Sequence, residues 1–92
     1  MAVTPLPVLT LYARAGCGLC DESRALLTAL LDARGDAGLP RPTLEERDIE
    51  QDPELERAMF DRIPVVELGG QRVELAISAA KIRRLLHDVL DA

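Results

Sequence analysis

The sequence predicts an α/β fold in a single domain, residues 1–92, with the order β-α-β-α-β-β-α and a four-stranded mixed sheet flanked by helices. Three features point there. A short apolar run, Val8-Leu9-Thr10-Leu11-Tyr12, leads into leucines at helical spacing. A later charged segment ends in Asp52-Pro53-Glu54, a helix-start signature. Two strand-like runs then meet at Gly69-Gly70 and precede a one-sided C-terminal helix.

The first run follows Pro5 and Pro7 and reads as a central strand buried on both faces. A helix is expected from about Gly18 to Ala33, with Leu26, Leu27, Leu30 and Leu31 on its apolar side. Asp21 and Glu22 suit its positive end, and Gly35 is the expected stop. Residues 35–42 then read as a loop on their Gly and Pro content. Thr43 to Ile49 carries Glu45, Glu46, Arg47 and Asp48 in a row. It reads as a polar edge strand, whose charge discourages pairing with other chains. Asp52 should cap a short helix with Pro53 in its first position, running to about Phe60 and burying Leu55 and Met59.

Ile63 to Leu68 and Gln71 to Leu75, joined by Gly69-Gly70, read as a hairpin. Pro64 cannot donate to a ladder, so it belongs at the start of its strand. Ser78 is the expected cap of the last helix, whose stripe is Ile82, Leu85, Leu86, Val89 and Leu90. The first β-α-β half is parallel only if its helix crosses over the sheet. The hairpin must be antiparallel.

A chain of 92 residues suffices for one compact domain. Its net charge of −5, with Tyr12 and Phe60 as the only aromatics, argues against a nucleic-acid partner. The core must be mainly aliphatic, and Tyr12, Met59 and Phe60 are expected to help fill it. No run approaches the roughly 20 apolar residues of a membrane span. The first ten residues lack a basic stretch followed by an apolar block, so they do not read as a secretory signal. A cytoplasmic monomer is the expectation.

Chemistry concentrates at Cys17 and Cys20, the only cysteines, where the first strand gives way to the first helix. The first N–H groups of a helix have no backbone partner and carry partial positive charge. A sulfur there is more easily held as thiolate. At this spacing the two Cα atoms can lie within about 4.4–6.8 Å, the range of a disulfide. A purely structural disulfide would close a very short loop and stabilise little. Structural zinc needs four ligands, and His87 on the last helix reads as a surface residue, so no metal is expected.

Taken together, these segments resemble the thioredoxin-fold redox proteins, and among them the glutaredoxin-like group. The stretch Leu11-Tyr12-Ala13-Arg14-Ala15-Gly16-Cys17-Gly18-Leu19-Cys20 is similar to that group's strand, basic residue and dithiol. Asp48-Ile49-Glu50-Gln51-Asp52-Pro53-Glu54-Leu55 looks like its second strand and short helix, and Arg62-Ile63-Pro64-Val65-Val66 like the segment with its cis-proline. The chain departs in having Gly18-Leu19 between the cysteines, where glutaredoxins usually have Pro-Tyr. It also has Glu74-Leu75-Ala76-Ile77 where glutathione-using members carry Gly-Gly followed by acidic residues.

The resemblance implies a thiol–disulfide oxidoreductase acting on protein or small-molecule disulfides. Cys17 would be the nucleophile and Cys20 the resolving thiol. Arg14 would favour the thiolate and attract an anionic substrate. Gly18 and Leu19 would lie against substrate, and Ile63, before a cis Pro64, would pair with an extended substrate segment. No tightly bound cofactor is expected. Glutathione is a candidate reductant, and a disulfide-bearing protein, a small thiol and a reductase are the candidate partners. The other reading is a redox-sensing or partner-binding module without turnover.

Overall fold

The computed structural model describes residues 5–91. The reading of the first ten residues therefore rests partly on positions outside the described ones. The elements are β1 (Leu9–Ala13), α1 (Gly18–Asp36), β2 (Leu44–Asp48), α2 (Pro53–Met59), β3 (Val65–Leu68), β4 (Gln71–Val73) and α3 (Ala79–Leu86). A single 3-10 turn, Ile49–Gln51, links β2 to α2, and a wide turn, His87–Asp91, extends α3.

The sheet order is β2-β1-β3-β4. β1 runs parallel to β2 and antiparallel to β3, and β3 runs antiparallel to β4. The apolar run thus becomes an interior strand, with Leu9, Leu11, Tyr12 and Ala13 all buried. The acidic segment becomes an edge strand, as its charge predicts. Gly69 and Gly70 take φ of 56° and 81°, which is how a two-residue turn matches the strand twist of a hairpin. Helices α1 and α3 pack on each other, and α3 also lies against β4.

Local capping explains the helix starts. Asp52 accepts from the N–H groups of Glu54 and Leu55, and Ser78 accepts from Lys81 N–H. The end of α1 differs from expectation. The helix runs through Gly35, and Gly38 takes the left-handed conformation with φ 72°. Leu39 N–H reaches Arg34 C=O at 2.9 Å and Gly38 N–H reaches Gly35 C=O at 3.1 Å, the paired closure that ends a helix on a glycine. Two glycines competed for one stop, and the later one completes the bonds. Phe60 also departs from expectation. It lies just past the last turn of α2 and is 59% exposed, whereas Met59 beside it is buried.

The far end of α1 is tied to the C-terminal turn. Arg34 donates to both Asp91 carboxylate oxygens at 3.0 and 2.6 Å and to Pro40 C=O at 2.7 Å. The Arg34 guanidinium holds the Asp91 carboxyl below its usual range. A depressed carboxyl stabilises the fold above its unfolded value, about 3.9, and that contribution fades as pH falls through the lower folded value. Asp91→Asn should therefore melt at a lower temperature than wild type near neutrality. The gap should close in acid below the unfolded value. Thermal melts at both ends of that window check it.

Candidate active site

Cys17 is the N-cap of α1, a position usually taken by Ser, Thr, Asp or Asn. Its extended backbone (φ −100°, ψ 106°) lets its side chain turn back over the first turn. There the Cys20 N–H donates to Cys17 Sγ at 3.1 Å. A sulfur has replaced the customary capping oxygen, so one of the orphan amides of the helix already points at it. The two cysteines form a disulfide with Cα atoms 5.2 Å apart. Cys17 is half-buried, while Cys20 on the inner face of α1 is fully buried. An external reagent therefore meets Cys17 first.

The charges around this turn are arranged in pairs. Arg24 bridges Asp21, at 2.7 Å, and Glu46 across on β2, so the Asp21 carboxylate in the first turn of α1 is countered. The hydrogen bond from Arg24 holds the Glu46 carboxyl below its ordinary range. Glu22 stays exposed. Arg14 is exposed, forms no salt bridge among the described residues, and borders a hollow of about 640 Å³ with Glu50, Glu56, Arg57 and Phe60.

The antiparallel register places the Ile63-Pro64 segment. Tyr12 pairs with Val65, so the residues preceding Val65 lie beyond the C-terminal end of β1. The loop carrying Cys17 leaves that same end. The Ile63–Pro64 peptide bond is cis, and both side chains are buried. Any contact they make with a substrate would run through the backbone. Ile63 N–H already donates to Met59 C=O at 3.1 Å, and Pro64 C=O accepts from Ala76 N–H at 2.8 Å. The Ile63 carbonyl is the backbone group in this pair without a hydrogen bond among the described residues.

Gly18 and Leu19 are exposed, with Leu19 at 43%. The loop after β4 adds two residues that sequence reasoning missed. Leu75 and Ile77 are exposed, and Leu75 takes φ 48°, a conformation that leucine rarely adopts. Leu75 N–H bonds to Arg62 C=O at 3.0 Å, which fastens this loop to the Ile63-Pro64 segment. The strand reading had run through Leu75. An apolar pair straight after a short hairpin was the available clue. His87 lies on the exposed side of the last turn, near Asp91 at 3.7 Å.

Known proteins share this fold. An X-ray structure of target protein XcR50 from X. campestris matches with a TM-score of 0.70 at 29% identity, over 88% of this chain and 97% of that one. The solution structure of protein Ne2328 from Nitrosomonas europaea gives 0.68 at 24% identity, over 92% and 96%. Oxidised mitochondrial thioredoxin 3 from Saccharomyces cerevisiae gives 0.61 at 16% identity, over 92% and 80%, a likeness of fold. The family model described as glutaredoxin-like domain (DUF836) matches residues 8–87, which takes in every strand, the dithiol and the cis-proline segment. With a cysteine-capped helix at the end of the central strand and a matching family model over nearly its whole length, the chain belongs to the glutaredoxin-like family and has the thioredoxin fold.

Proposed function

We propose that the protein is a thiol–disulfide oxidoreductase in which Cys17 attacks and Cys20 resolves. The observation that carries this reading is the asymmetry of the pair. Cys17 caps the helix, receives an amide hydrogen bond and is partly exposed, whereas Cys20 is fully buried. In the reduced protein the Cys17 thiolate attacks one sulfur of a partner disulfide and expels the other as a thiolate. The Cys20 thiol, losing its proton, then attacks Cys17 Sγ and releases the second partner sulfur. Two electrons pass to the partner, and the protein is left with the Cys17–Cys20 disulfide. A dithiol reductant, glutathione or a reductase would restore it, in a reducing compartment such as the cytoplasm.

The exposed apolar side chains Leu19, Leu75 and Ile77 favour a protein disulfide with apolar neighbours as substrate. The N–H groups of Leu75, Ala76 and Ile77 are all used within the protein, at 3.0, 2.8 and 2.8 Å. That leaves this loop poorly equipped to hold the peptide backbone of a small thiol such as glutathione. Reduction of insulin with dithiothreitol as electron source tests the reading. Many turnovers above the dithiothreitol background are expected. A single stoichiometric oxidation of the protein without turnover would support a redox-sensing module instead.

A further inference from the structure

Helix α1 carries one buried polar side chain with no hydrogen-bond partner among the described residues. Ser23 is 0% exposed, and its hydroxyl has no hydrogen bond among the described residues. A buried, unpaired hydroxyl is costly and calls for an explanation. On a helix the usual remedy is a bond to the carbonyl four residues back. Thr28 on the same helix makes that bond, to Arg24 C=O at 2.9 Å. Ser23 does not.

Ser23 follows Cys20 by three residues, and both are fully buried. Residues at this spacing share one helix face. Helical side chains lean toward the N-terminus, which carries the Ser23 hydroxyl toward the turn that holds Cys20. In the disulfide Cys20 Sγ is a neutral, weak acceptor. Reduction changes that sulfur. The S–S bond breaks, two electrons and two protons arrive from a dithiol such as dithiothreitol, and dithiothreitol leaves as its cyclic disulfide. Cys20 then holds a buried thiol that must pass through its thiolate to attack Cys17. A buried thiolate needs a donor. The N–H of Cys20 itself is directed at Cys17.

We propose that Ser23 is a positioning residue for the resolving cysteine: its hydroxyl, buried one turn after Cys20 and unpartnered among the described residues, donates to Cys20 Sγ in the dithiol form and so stabilises the reduced protein. This rests on the thiol–disulfide reading of the site. The cost of the orphan hydroxyl falls on the oxidised state alone, which makes the protein a readier oxidant.

The test is redox equilibration of the full chain with dithiothreitol buffers, alongside denaturant unfolding of each redox form, for wild type, Ser23→Ala and Ser23→Thr. Ser23→Ala should shift the equilibrium constant roughly tenfold toward the disulfide, a potential about 30 mV more negative. Its oxidised form should unfold at an equal or higher midpoint, and its reduced form at a lower one. Ser23→Thr keeps the hydroxyl and should stay within about twofold of wild type. An unmoved potential in Ser23→Ala, or equal shifts of both redox forms, would overturn the inference. Insulin turnover by wild type separates the two claims. A shifted potential without turnover counts against the proposed function alone. Turnover with an unshifted potential counts against the Ser23 role alone.

Discussion

Cys17→Ser is expected to reduce insulin turnover to the dithiothreitol background, while Cys20→Ser should accumulate a stable mixed disulfide with its substrate. The two variants differ because the two sulfurs occupy different places. Cys17 is partly exposed and caps the helix by accepting from its amide, so in the proposed mechanism removing it removes the attacking atom. Cys20 is buried on the inner face of α1, 5.2 Å away Cα to Cα, and in the proposed mechanism its task begins only after Cys17 has been captured. Without it, the intermediate waits for an external thiol. Intact-mass measurement after mixing with a disulfide-bearing protein reads the outcome. Trapping by Cys17→Ser in place of Cys20→Ser would reverse the assignment.

Leu11→Ala should cost about 2–5 kcal/mol, from lost burial and the cavity left behind. A domain of this size is stable by only about 5–15 kcal/mol in total, so the variant should be partly unfolded at warm temperatures. Leu11 is fully buried on the interior strand, paired with Glu46 of β2 on one side and Val66 of β3 on the other. Neither neighbour can close over the gap without breaking a ladder. Phe60→Ala makes the contrast. Phenylalanine is the larger side chain, yet at 59% exposure here its loss should change stability by less than about 0.5 kcal/mol. Urea titration of both variants checks the pair, and a comparable loss in each would mean that Phe60 packs against the core.

These two residues also show where the sequence was legible. Leu11 sits in a run whose apolar character specifies an interior strand whatever surrounds it. Phe60 is expected in the core as a large apolar side chain, but apolar character alone does not say which way a residue at a helix end faces. Signals carried by one or two adjacent residues transferred well. Asp52-Pro53, Ser78 and Gly69-Gly70 fix their caps and turn by local hydrogen bonding and φ alone. The end of α1 was less readable, since Gly35 and Gly38 are equally able to stop a helix. Arg34, whose carbonyl and side chain hold residues 39 and 40, completes the closure at the later one.

The site divides the same way. Cys17 at a strand-to-helix junction was visible in the sequence, because capping depends on position along the chain. Ser23 was hidden among Asp21, Glu22 and Arg24, three charged residues that suggest a solvated stretch. Counting three positions on from Cys20, and four on to the buried Leu27, recovers the inner face that contains it. For Leu75 only the apolar pair after the hairpin was legible; its φ of 48° was not, since that conformation is imposed by the loop that bonds to Arg62 and Pro64.

The proposed chemistry requires the start of α1 to hold the Cys17 sulfur as a thiolate at ordinary pH. The rate of iodoacetamide alkylation of Cys17, followed against pH in Cys20→Ser, measures it most directly. A half-maximal rate at a pH below the free-thiol value of about 8.5 is expected. A profile centred at or above that value would contradict the account.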